Sequence, residues 1–164
     1  MDKLIGEMLL LLRELLASNQ RLLQIALLRQ DAMRAFDVQK LNELLEREKL
    51  EAQRLETLEK LRRILVEQMK LQLGRGVEPN ISELAKRATE PNKSILLSVA
   101  SQLRTVVEQL DRNSRINAKV SETVIRGLSH ILKIVTGVAQ HAGLYMRNGR
   151  KAALHGIHVL EVTA

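Results

Sequence analysis

The sequence has no cysteine and no tryptophan, only two prolines (Pro79 and Pro91), and aromatic rings only at Phe36 and Tyr145. Without thiols there is no disulfide scaffold, no cysteine-ligated zinc and no thiol nucleophile, and a reducing cytoplasmic interior is the simplest home. Two rings leave almost nothing for nucleobases to stack on. Long hydrophobic runs are missing too. The longest early one, Met8–Leu12, is bounded by Glu7 and Arg13. A membrane-spanning helix needs roughly 18 apolar residues, and a signal peptide needs a longer uncharged stretch, so neither is expected.

What fills the 164 residues is 45% hydrophobic and 27% charged side chains. That apolar share is too high for a disordered chain. A core of Leu, Ile, Val and Ala at this charge density is the composition of long helices packed edge to edge. The net charge of +7 is dispersed, with +1 from residues 1–40, +1 from 41–75, none from 76–103, +3 from 104–133 and +2 from 134–164. Arg104, Arg112, Arg115, Lys119, Arg126 and Lys133 are the residues that a nucleic-acid backbone would meet. They form no concentrated footprint, so no nucleic-acid partner is expected.

Residues 4–73 contain no proline and a glycine only at position 6. The stretch predicts one long helix, supported by acid-before-base pairs at Glu43–Arg47, Glu56–Lys60 and Glu59–Arg63. Gly74 and Gly76 are natural stops. Asn80-Ile81-Ser82-Glu83 reads as a cap followed by a short helix over about 81–88. Pro91, suited to a first helical turn, opens a helix over about 92–142 that Gly143 stops. The expectation is therefore an all-α antiparallel bundle, or coiled-coil hairpin, of two long helices joined by a short one. Residues 1–142 make the helical domain and 143–164 a flexible C-terminal tail.

The last helix carries the clearest periodicity. Leu96, Leu103, Leu110, Asn117, Val124, Ile131 and Val138 stand at seven-residue steps, and Val99, Val106, Asn113, Val120, Gly127, Ile134 and His141 follow each by three. This is an a/d seam, widened at Ala100, Val107, Leu128 and Val135. Asn113 and Asn117 interrupt it, and polar residues inside such a seam fix register and partner choice. The second half of the first helix has a looser seam through Leu41, Leu44, Leu55, Leu58, Leu65 and Met69, broken by Glu48, Glu51 and Arg62. Its first half is apolar almost all round, the mark of a helix with two neighbours. At 1.5 Å per residue the first helix is roughly 105 Å long and the last roughly 77 Å. An antiparallel pair then leaves the N-terminal leucines overhanging. A fold-back near Ser18-Asn19, cover by the tail, or self-association through the overhang would shield them.

Catalytic machinery is not evident. His130 and His141 share a helix face about 16 Å apart, too far for one metal. His155 and His158 have ligand spacing without a third ligand. The Gly143 to Gly149-Arg150 segment lacks the Lys and Ser/Thr of a phosphate loop. The carboxylates mostly sit one turn from a base. No enzyme activity, cofactor or metal is expected.

Three segments together resemble the FlgN-type flagellar export chaperones. Asp37-x-x-x-Leu41-x-x-Leu44-Leu45-x-x-x-Lys49, with Leu55, Leu58, Glu59 and Arg62, is similar to that family's first-helix pattern. Leu110-x-x-Asn113-x-x-x-Asn117 is similar to its Leu-Asn…Asn segment, although Ser114 and Ala118-Lys119 replace the usual glycine and Leu-Ile pair. Tyr145-x-x-x-Gly149 with Arg150 is similar to its Tyr-x-x-x-Gly element. The resemblance implies a cytoplasmic, non-enzymatic chaperone of flagellar type III export. Its partners would be the C-terminal helical segments of hook–filament junction subunits (FlgK- and FlgL-like) and the cytoplasmic domain of the export gate. Cargo would lie on Val124, Leu128, Ile131, Leu132 and Val135, where the last helix is apolar over more surface than one neighbour covers. Tyr145, Gly149 and Arg150 would serve gate docking. The alternative is a generic coiled-coil adaptor or assembly protein without an export role, since heptads alone do not separate the two.

Overall fold

A computed structural model describes residues 2–74 and 77–142, with side chains as far as residue 137. Of the described residues 91% are helical and none lies in a strand, so the all-α expectation holds. The elements are α1 (Asp2–Arg34), α2 (Val38–Leu73), α3 (Ile81–Arg87) and α4 (Asn92–Ala142). They belong to two compact units, Met1–Ser121 and Glu122–Ala164. The tail expected from residue 143 lies outside the described residues.

In the first unit, the single helix predicted over 4–73 is two helices. Ala35, Phe36 and Asp37 interrupt it, with Phe36 in the left-handed region at φ 55. The Phe36 N–H reaches the Met33 carbonyl at 3.2 Å and the Asp37 N–H reaches Ala32 at 3.0 Å, closing α1. Asp37 then caps α2, its carboxylate accepting the Lys40 N–H at 2.9 Å. Ser18-Asn19, the expected fold-back point, stays helical. The Asn19 amide donates to the Leu15 carbonyl at 2.8 Å, and the Ser18 hydroxyl donates to Glu51 at 2.7 Å.

Hydrophobic burial drives the break. Folding α1 back places Ile5, Met8, Leu9, Leu12, Leu15 and Leu16 inside the fold, a gain on the order of 10 kcal/mol relative to leaving them in water. That outweighs a few interrupted helical hydrogen bonds and one left-handed residue, each costing about 1–2 kcal/mol. The N-terminal overhang therefore does not form, and the apolar surface expected to support self-association is core. Leu10, Leu27 and Leu28 alone among the α1 leucines stay exposed.

The cross-helix pairs give the directions. Glu14 meets Arg54, Arg21 meets Glu51, and Arg29 meets Glu48, so α2 runs antiparallel to α1. Asn117 reaches Ala26 and Ser121 reaches Met33, so the first half of α4 runs alongside α1 in the same direction. α1 thus has two neighbours, as its two-sided apolar pattern requires. The core gathers Met8, Leu12, Leu15, Leu65, Met69, Leu84, Leu96 and Val99 from all four helices.

The connections follow from local chemistry. Gly74, at φ 88, ends α2 and returns its N–H to the Lys70 carbonyl at 3.2 Å. The Asn80 side chain accepts the Glu83 N–H at 2.8 Å and starts α3. Pro91 sits one residue before α4 begins.

Candidate functional site

The second unit contains the C-terminal part of α4, described from Glu122 to Ala142. With 100° between successive residues, Val124, Ile125, Leu128, Ile131, Leu132, Ile134 and Val135 cover about half the helix circumference. Glu122, Arg126, Ser129, His130, Lys133 and Thr136 fill the opposite half. Val124 is half-buried, and the other six apolar side chains are exposed, Leu132 at 62%. The Arg126 guanidinium pairs with Glu122 at 3.5 Å on the polar half. Such a helix presents a broad apolar face to whatever binds it and a charged face to water, the arrangement used when a partner helix is received.

Four of the five residues expected to meet cargo, Leu128, Ile131, Leu132 and Val135, are on this exposed face, with Val124 at its edge. Ile125 and Ile134 belong to it as well. Ile134 is legible as a seam position, while Ile125 is visible only from its i, i+3, i+7, i+10 spacing to Leu128, Leu132 and Val135. Gly127 lies on the border of the apolar half, and a Cβ there would meet nothing within 4 Å. Tyr145, Gly149 and Arg150, the residues expected at the gate, lie outside the described residues, as do the side chains of His141, His155 and His158. Among the described residues no three His, Asp or Glu side chains are grouped to hold a metal ion.

The two seam asparagines, in the first unit, behave differently. Asn113 is half-buried and spends its amide on the Gln109 carbonyl of its own helix, at 2.8 Å. Asn117 is 4% exposed and donates across to the Ala26 carbonyl of α1 at 2.7 Å, while its Oδ1 is buried without a hydrogen-bond partner. Only Asn117 joins two helices.

A second polar cluster lies between α1 and α2. Glu51 accepts from the Ser18 hydroxyl and the Arg21 guanidinium, both at 2.7 Å. The Arg21 hydrogen bond holds the Glu51 carboxyl below its ordinary range against the opposing effect of burial, and the same bond raises Arg21. Arg29 pairs with Glu48, and Arg54 with Glu14 at 2.6 Å. The acids that interrupt the α2 seam at 48 and 51 thus face bases on α1, whereas Arg62 pairs with Glu59 inside α2 at 2.9 Å. Of the pairs read from the sequence Glu56–Lys60 forms at 2.7 Å, and Glu43 instead takes Lys40 at 3.5 Å. Arg21–Glu51 and Arg29–Glu48 are part-buried, while the exposed pairs contribute little individually. No reacting constellation is built from any of them.

Among the described residues no helix is long and apolar enough to cross a membrane. No curated protein and no solved structure matches the chain. The FlgN protein family matches residues 1–153, which spans both units and all four helices. With that coverage, an all-α body and an open apolar face, the chain belongs to the FlgN family of flagellar export chaperones.

Proposed function

We propose that this protein holds the C-terminal helical segments of hook–filament junction subunits in the cytoplasm and hands them to the cytoplasmic domain of the flagellar type III export gate. The cargo lies on Val124, Leu128, Ile131, Leu132 and Val135, extended by Ile125 and Ile134. Tyr145, with Gly149 and Arg150, makes the gate contact. The observation that carries the reading is the apolar half-circumference of α4 beyond residue 121, exposed in six of its seven side chains. A subunit segment that later forms a helical assembly carries a matching apolar stripe, and a helix face covers it until export. Ordering of the segment on binding lowers affinity per unit of interface, which suits cargo that must be released. The absence of cysteine accords with a reducing compartment.

Two variants separate capture from delivery. Leu132→Glu should weaken binding of a purified junction subunit by at least about tenfold, the loss of a modest anchor, with the circular dichroism spectrum unchanged. Tyr145→Ala should leave subunit binding intact and abolish binding of the gate domain. Calorimetric titration of each variant against each partner checks both. An unchanged subunit affinity for Leu132→Glu removes the apolar face from the cargo site, and an unchanged gate affinity for Tyr145→Ala removes the tyrosine from delivery. If the wild-type protein captures other coiled-coil proteins and no junction subunit, the generic adaptor reading replaces this one.

A further inference from the structure

The first unit contains a separate groove of about 540 Å³ between α1, α3 and the start of α4. Leu12, Ile81 and Leu103 line it together with the hydroxyl-bearing Ser82 and Ser101. The wall on α4 is formed by Leu97, Ala100, Arg104 and Val107, whose i, i+3, i+7, i+10 spacing keeps them along one side of the helix. Leu97 and Val107 are each 45% exposed, although Leu96 and Val99 beside them are core. The volume falls in the range of sites that take a few side chains, and the wall is roughly 15 Å long, about three helical turns.

The charges select the occupant. No carboxylate occurs between residues 92 and 107, and the cations there are Lys93 and Arg104. Among the described residues no carboxylate lines the groove, and Arg104 is exposed and forms no ion pair, not even with Glu108 one turn on along α4. A guanidinium beside an apolar slot lacks the bidentate acidic partner that it is shaped to hold.

We propose that this groove is a second docking site, which receives a short amphipathic helix of a partner protein bearing aliphatic side chains and, beside them, a carboxylate that pairs with Arg104. Aliphatic side chains at i and i+3 or i+4 enter between Leu97, Ala100 and Val107, and the carboxylate one position away meets the guanidinium. The site is independent of the apolar face at 124–135 and does not rest on the cargo assignment made for it.

The test uses the full chain, labelled with nitrogen-15, and two synthetic helical peptides of equal length and identical leucine pattern, one with glutamate and one with lysine at its polar positions. The glutamate peptide should shift the amides of Leu97, Ala100, Arg104 and Val107 and bind at least about tenfold tighter than the lysine peptide, the scale of one charge-assisted contact. Arg104→Glu should abolish that preference. Arg126→Glu changes the net charge equally but lies outside the groove, and should preserve it. Equal loss in both variants reduces the preference to net charge and overturns the proposal. Shifts confined to 122–137 overturn it as well. Concentration-dependent shifts of the groove amides without peptide would assign the groove to a second copy of this chain, which also overturns it.

Discussion

Asn117 offers the sharpest test of how the first unit is held in register. Its amide donates to the Ala26 carbonyl at 2.7 Å, and its Oδ1 is buried with nothing to accept from. Ala26 lies mid-helix, so its carbonyl also receives the intrahelical N–H four residues on and is not orphaned when Asn117 is removed. Both Asn117→Ala and Asn117→Leu lose one buried hydrogen bond, about 1 kcal/mol net, and both remove the unpartnered Oδ1, which gives back about 1 kcal/mol. The alanine variant also loses the packing of the removed atoms, about 1–2 kcal/mol, whereas the leucine variant retains the volume. The leucine variant should therefore be at least as stable as the wild type and clearly more stable than the alanine variant. What it should lose is uniqueness, because Asn113 bonds only within α4, and without the one amide that reaches α1 the seam tolerates shifted registers. Urea denaturation followed by circular dichroism ranks the three proteins, and doubled amide resonances in α4 report the alternative register. If Asn117→Leu is clearly less stable than the wild type, the buried Oδ1 is not a liability, and if it is less stable than Asn117→Ala, retained volume is not what separates the variants.

Two further outcomes follow from residues that the sequence places less obviously. Glu51 is held below its ordinary carboxyl range in the folded state by Arg21, so its contribution is present above the unfolded value of about 4.3 and is lost as pH falls through the folded value. Glu51→Gln should melt below the wild type at pH 7, the gap should close towards pH 3, and a gap independent of pH would show that the ion pair is not its source. Phe36 adopts φ 55 with its side chain 66% exposed, so Phe36→Asn should relieve about 1 kcal/mol of backbone strain at little loss of packing and raise the melting temperature by ~2–4 °C. A lowered melting temperature would mean that the ring supports the turn.

The helical class and the seam of α4 were legible because both rest on patterns of residue type at fixed spacing, which Leu96, Leu103 and Leu110 show without ambiguity. The break at residues 35–37 was not. Ala35-Phe36-Asp37 contains neither glycine nor proline, and strong helix formers flank it. The one local signal is Asp37, three residues ahead of the Lys40 N–H that it caps, and an aspartate in a helical stretch reads equally well as a surface charge. The decision there is tertiary, since burial of the α1 leucines outweighs local preference. The apolar half of α1 carried that information only indirectly, as a helix needing two neighbours. The acids at 48 and 51 read as defects in the α2 seam until α1 folded back to bring Arg29 and Arg21 against them. On the second unit, Leu128, Ile131, Leu132 and Val135 stood out by spacing, whereas the groove at Arg104 needs Leu12 of α1 brought against α3 and α4, which the spacing within α4 alone does not show.

The turn at Phe36 also sets the order in which the first unit assembles. Contacts between α1 and α2 join residues 19 to 40 positions apart, while those between α1 and α4 join residues 88 and 91 apart. Closing the longer loops costs about 1 kcal/mol more entropy, from the logarithmic dependence on loop length. The α1–α2 hairpin is thus the local, low-contact-order part of the unit and forms first, even while the chain is still being synthesised, and α4 docks on it afterwards. Pulsed hydrogen exchange during refolding reads this directly, since amides of α1 and α2 would gain protection ahead of those between Leu96 and Asn117. Simultaneous protection of all three helices would contradict it. The helix that carries the open apolar face is then the last to be secured and, by the same reasoning, the first to loosen.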